Sequence, residues 1–154
     1  MPITRSKSQL PPFTRLVHLG IAISFLIALF SAGQQLGLHT GAGLTLSVLL
    51  LIWIVLMVFG LTTRRGDKPG IASRLLWLLL LLVLLLTVAA GMGVYGFGYS
   101  AGPLAGWLAG NPELGQLAVR FHRPLALAAL ILVAIHTFSA GYAKLKERRQ
   151  RLRR

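Results

Sequence analysis

The sequence predicts an all-α integral membrane protein, a four-helix bundle with both termini in the cytoplasm, from the placement of its apolar and basic residues. Hydrophobic residues make up 55% of the 154-residue chain and fall in long runs that the charges avoid. A basic soluble domain would instead spread them at the period of a strand or a helix, so an ordinary soluble globule is excluded. Four of the runs, at about 16–34, 41–61, 75–97 and 117–142, each come near the ~20 residues that a helix needs to cross a hydrocarbon core. The 16 Lys and Arg face only 3 Asp and Glu, for a net charge of +13, and their positions are lopsided. Four spans use most of residues 1–154 as a single membrane domain, so the function belongs within the bilayer or at its faces.

Span one begins after Pro11-Pro12 and ends near Gly33. Its basic start, apolar run and Ser31-Ala32-Gly33 resemble a cleaved signal peptide. The run of roughly 18 residues exceeds the usual core of about 7 to 15, and three more spans follow, so the segment reads as a retained span. The short turn from Gln34 to Leu38 makes spans one and two adjacent antiparallel neighbours. Gly60 and the stretch from Arg64 to Gly70 form the next turn. Span three opens with Leu75 to Leu86, almost all Leu, which reads as lipid-facing bulk without chemistry. A Gly-rich connection containing Trp107 lies between Tyr95 and Gln116. Asn111-Pro112-Glu113 then has the form of a helix start: Asn as N-cap, Pro at the first helical position and Glu at the positive end of the dipole. The helix expected from there runs through span four and contains Pro124, which removes one backbone bond and bends the helix close to His122.

Arg5, Lys7, Arg15, Arg64, Arg65, Lys68, Arg74 and the basic tail from Lys144 to Arg154 fall on one side of this layout, and only Arg120 and Arg123 on the other. The positive-inside rule therefore puts both termini and the 62–74 loop in the cytoplasm. The tail follows directly on a span, where anionic lipid headgroups, and not nucleic acid, are its expected partner.

The chain has no Cys, which excludes disulfides, Cys-ligated iron–sulfur clusters, zinc-thiolate sites and covalent haem attachment through CxxCH. Its carboxylates, Asp67, Glu113 and Glu147, all lie outside the apolar runs, which argues against di-iron carboxylate chemistry or a carboxylate proton relay.

Chemistry rests on the four histidines, His18, His39, His122 and His136, each in or at the edge of a span. Any one of them alone reads as interface decoration or a helix–helix hydrogen bond. Together they form a pattern. His18 lies near the cytoplasmic start of span one and His39 near the external start of span two. His122 and His136, 14 residues apart on span four, are separated by roughly 21 Å of rise and nearly four whole turns, so they share a face. His18 can thus pair with His136 at one depth, and His39 with His122 at the other. Two opposed imidazoles with no third ligand suit the axial positions of a haem better than zinc, which gathers three or four ligands at one point. Gly20, Gly41, Gly43 and Gly141 flank these positions and permit close approach of a flat cofactor, or ordinary helix packing.

The segments Thr14-Arg15-Leu16-Val17-His18, His39-Thr40-Gly41-Ala42-Gly43, His122-Arg123-Pro124-Leu125-Ala126 and Ala134-Ile135-His136 resemble the four haem-ligand segments of the bacterial cytochrome b561 family. That family includes the cytochrome b subunits of nickel–iron hydrogenases. The resemblance covers residues 13–145 and implies two haem b groups, with the four histidines as iron ligands, in a bundle of the bacterial cytoplasmic (inner) membrane that passes electrons across it. The chain departs from the family pattern at Leu19, where Trp often follows the first ligand, and at Thr40, where a basic residue often follows the second. It also lacks a further His after the fourth ligand. These departures bear on the redox partners.

Ligation by two histidines saturates iron, so such haems carry single electrons and do not activate oxygen. At the external end, Arg120 and Arg123 are candidates for holding a haem propionate or steering an anion such as superoxide. Tyr95, Tyr99 and Trp107 are candidates for a quinone pocket or an interfacial aromatic belt. Three functions follow. The first is a diheme cytochrome exchanging electrons with membrane quinone, with superoxide:ubiquinone oxidoreduction as the specific form that some relatives suggest. The second is a haem-bearing anchor subunit relaying electrons for a partner respiratory enzyme. The third is a haem-free transporter or structural bundle, against which stands the near absence of buried ionisable groups other than histidine.

Overall fold

The computed structural model describes residues 12–59 and 70–152. Among the described residues there are helices and no strands: α1 (Pro12–Ser31), α2 (Leu36–Val58), α3 (Ile71–Gly98), the short α4 (Ala105–Ala109) and α5 (Pro112–Leu152). Helices α1, α2, α3 and α5 are each long and apolar enough to cross a membrane, and this is a multi-pass membrane protein. A helix satisfies its own backbone hydrogen bonds, which the bilayer core demands. The Leu, Ile, Val and Phe side chains left exposed along these helices, such as Leu51, Val55, Leu82 and Ile131, suit a lipid environment.

Two compact units divide the chain, Met1–Pro69 and Gly70–Arg154. In the first, α1 packs on α2. Pro12 sits at the first helical position, where its missing N–H costs nothing, so α1 starts earlier than the apolar run suggests. Gly33, at φ +81°, ends it in a left-handed conformation that a side chain would strain. The N–H groups of Gln34 and Gln35 close back on the Ser31 carbonyl at 3.2 Å, and α2 begins at Leu36, within the expected turn. Val17 and Phe25 of α1 and Leu46, Leu50, Trp53 and Leu56 of α2 are buried. Gly20 works here as a packing residue, since a Cβ on it would lie 3.0 Å from Leu49 Cδ1.

In the second unit α3 packs on α5, with α4 against both. Leu80, Leu84 and Thr87, spaced four and three apart, form the buried face of α3. Within the Leu run, Leu75, Leu78, Leu79, Leu82 and Leu86 are exposed as expected of lipid-facing bulk, whereas Leu80 and Leu84 are core. The Gly-rich stretch expected to begin the connection at Tyr95 is still helix up to Gly98. Two glycines at this end of α3 are contact points: a Cβ at Gly93, just before the stretch, would lie 2.5 Å from Ala118 Cβ, and one at Gly96, within it, 2.9 Å from Leu108 Cδ1. Close packing therefore keeps helical a composition that by itself reads as loop.

The connection is residues 99–111 with α4 inside it, and α5 begins at Pro112 as expected. The backbone carbonyl of Asn111 accepts from the N–H groups of Leu114 and Gly115, at 3.1 and 3.3 Å. Its side-chain amide donates to the Trp107 carbonyl at 2.8 Å, tying the helix start to α4. Pro124 lies inside α5. The arm with Arg5 and Lys7, the turn with Arg64, Arg65, Asp67 and Lys68, and the terminal Arg153 and Arg154 lie outside the described residues.

Candidate functional site

Each unit carries two of the four histidines. In the first, His18 is exposed on α1, and its ring centroid lies 5.4 Å from that of Trp53 on α2, the planes inclined by 55°. Trp53 is itself buried. The two rings, with Thr14, Arg15, Leu19 and Ala22, line a recess at this end of the helix pair. His39, half-buried in the second turn of α2, hydrogen-bonds through Nδ1 to the backbone carbonyl of Ala28 on α1 at 2.7 Å. Trp53 lies 14 residues beyond His39 on α2, roughly 21 Å of rise. The unit therefore holds His18 and His39 at opposite ends and does not bring them together.

In the second unit, His122 of α5 hydrogen-bonds through Nδ1 to the Thr87 carbonyl of α3 at 3.1 Å. Its ring lies over Gly91, where a Cβ would stand 3.0 Å from Cε1 and 3.4 Å from Nδ1. His136 is half-buried further along the same helix. Ala129, fully buried, sits seven residues from each, and at about two turns per heptad it marks the face that His122 and His136 share.

These bonds decide which nitrogen can ligate. A carbonyl only accepts, so the Nδ1 of His39 and of His122 carries the proton, and in the neutral ring the lone pair then lies on Nε2. Metal-bound histidines generally have this arrangement, with the second ring nitrogen donating to a carbonyl that fixes orientation and raises basicity. Among the described residues no three His, Asp or Glu converge on one point. An imidazole whose tautomer and ring angle are set by a neighbouring carbonyl, as at His39 and His122, has the chemistry of a metal ligand. At Gly41, Gly43 and Gly141 an added Cβ would meet no atom of its own unit within 4 Å, so these three are not packing contacts there, in contrast with Gly20.

Arg120 and Arg123 are exposed on α5, to either side of His122 in sequence. Tyr99 and Trp107 are also exposed, at 54% and 57%, with Tyr99 beside Tyr95 at a centroid distance of 6.4 Å. Tyr95 packs against Gly102, whose φ of +81° and closeness to the ring both require glycine.

Reading the sequence for histidines passes over Ala28, Trp53, Thr87 and Gly91. Trp53 could have been found by its spacing from His39, and Gly91 by the break it makes after the Leu-rich run. Ala28 and Thr87 contribute backbone carbonyls, for which no side chain gives a signal.

Over residues 9–154 the chain matches the family described as prokaryotic cytochrome b561. Neither a curated protein nor a solved structure gives a match. With membrane-length helices throughout and a family match over nearly its whole length, the chain belongs to the prokaryotic cytochrome b561 family, haem-b membrane cytochromes of electron transfer.

Proposed function

We propose that the chain holds two haem b groups, one between His39 and His122 and one between His18 and His136, and exchanges electrons with membrane quinone. The observation that carries this reading is the matching Nδ1-to-carbonyl bond of His39 and His122 in separate units. Two histidines with the same tautomer, prepared in the same way, suit the two faces of one iron. The pairing of His18 with His136 follows from chain order and depth. When bound, such haems supply one-electron transfer with no open coordination position.

The residues around them bind and orient. Arg120 and Arg123 supply positive charge for a propionate or for an approaching anion such as superoxide, and Tyr99 and Trp107 supply flat apolar surface for a quinone ring. Both termini face the cytoplasm of a bacterial inner membrane, with the basic tail against anionic lipid. Superoxide as donor and ubiquinone as acceptor is the specific form of the reaction.

A pyridine haemochrome count with an oxidised-minus-reduced spectrum of the detergent-purified chain tests the reading. Two b-type haems per chain with sharp low-spin bands are expected. A colourless protein, after haem supplementation during expression, would return the histidines to helix packing.

A second reading, an anchor that relays electrons for a partner enzyme, is favoured by one feature. Helix α5 continues to Leu152, about ten residues past the apolar run, with exposed Lys146, Arg148 and Arg149. A rise of about 15 Å carries that charge beyond the span, where an acidic protein could dock. Co-purification of a redox partner, with no quinone reduction by the isolated chain, would favour it.

A further inference from the structure

Helix α3 carries no histidine, yet two of its residues, Thr87 and Gly91, meet the ring of His122 on α5. Thr87 and Gly91 stand four residues apart, one above the other on the same face of α3. Thr87 supplies the carbonyl that accepts the Nδ1 proton of His122 at 3.1 Å, and Gly91 supplies the space in which the ring lies. In a helix that carbonyl is also the acceptor for the N–H of Gly91, so one acceptor is shared between α3 itself and the imidazole. A methyl group at 91 would stand 3.0 Å from Cε1, 3.4 Å from Nδ1 and 3.8 Å from Nε2 of His122. The ring would have to move off by a few tenths of an ångström, and the movement lengthens a hydrogen bond already near the long end of its range.

The surrounding glycines do different work. Gly93 faces Ala118 and Gly96 faces Leu108, and both serve the packing of α3 on its neighbours. Among the glycines of α3, Gly91 is the one whose missing side chain meets an imidazole.

We propose that Gly91 is a positioning residue for the haem ligand His122, holding its ring where the Thr87 carbonyl can take the Nδ1 proton and so setting how strongly Nε2 donates to iron. The inference rests on the reading of His122 as a ligand. A hydrogen bond from Nδ1 raises the basicity of the ligating nitrogen, and a more basic ligand favours the oxidised metal. Weakening that bond therefore raises the midpoint potential of the haem that His122 holds.

The test is a redox titration of Gly91→Ala beside the parent chain and Gly93→Ala, with haem count and thermal midpoint measured on all three. In Gly91→Ala one of the two haems should titrate at a higher potential, or be lost so that half the haem remains, while the other keeps its parental potential. Gly93→Ala should lower the thermal midpoint and leave both potentials at the parental values. Unchanged potentials and haem content in Gly91→Ala would overturn the inference. So would equal shifts in both haems, or the same single-haem shift in Gly93→Ala, since either outcome reduces Gly91 to a packing residue. A parent chain without haem b would overturn the ligand reading and this inference with it.

Discussion

His39 reaches back across the turn between α1 and α2 to the carbonyl of Ala28, 2.7 Å from its Nδ1, so the end of one helix holds the imidazole at the start of the next. Eleven residues separate the partners in sequence, and the tight turn at Gly33 brings them together. The bond joins local structure to function: a short connection orders the ring, and the ordered ring has its lone pair on one nitrogen. Nothing in the side chain of Ala28 takes part, so replacing Ala28 should leave the bond in place.

Ligand variants should remove haem in pairs. His39→Ala and His122→Ala are each expected to lose the same haem, and His18→Ala and His136→Ala the other, each variant keeping about half the pyridine haemochrome signal. Double variants within a pair should keep that half, and double variants across pairs should keep none. Loss of a single common haem in both His122→Ala and His136→Ala would refute the pairing.

Thr87→Val is expected to be nearly silent toward His122. The acceptor is the backbone carbonyl, and the hydroxyl is engaged elsewhere, donating to the Val83 carbonyl at 2.7 Å. Removing a hydroxyl that is bonded within its own helix, at nearly constant volume, should cost no more than about 1 kcal/mol. Midpoint potentials should equal those of the parent chain, and a shift of either would show that the side chain, and not the carbonyl, governs the ring.

Trp53→Ala should destabilise the helix pair of α1 and α2 and disturb the surroundings of His18. Truncating a buried Trp costs about 3 to 5 kcal/mol in a well-packed site, and an aromatic pair adds about 0.5 to 1.5 kcal/mol. Trp53→Phe keeps a ring beside His18 and should retain most of both. Thermal unfolding in detergent measures the loss, and the reduced spectrum should change for the haem that His18 holds and not for the other. Equal behaviour of the Ala and Phe variants would show that the ring contact contributes nothing.

Topology can be read with single cysteines, because the chain has none of its own. Ser100→Cys, in the connection after α3, should react with a membrane-impermeant maleimide added to intact cells. Gln150→Cys, near the end of α5, should react only after permeabilisation. The reverse labelling would place both termini outside and invert the assignment of depth to the histidines.

Much of the architecture is written in composition. Long apolar runs between clusters of basic residues specify membrane-length helices because the bilayer is one uniform solvent and imposes one length, so counting residues suffices. The four histidines are legible for a related reason: an ionisable group in such a run is expensive and must have a use. The start of α5 at Pro112 is likewise visible, since Pro and Asn mark it locally. What only the tertiary structure decided is where each ring is held and by what. The stretch from Tyr95 to Gly98 reads as the start of a connection and is helix, with Gly96 letting Leu108 come close. The acceptors for His39 and His122 are carbonyls at Ala28 and Thr87, and a carbonyl has no residue identity. Every position in the chain offers one, and which of them meets an imidazole depends on how two helices pack, information that spacing along a single strand of sequence does not contain.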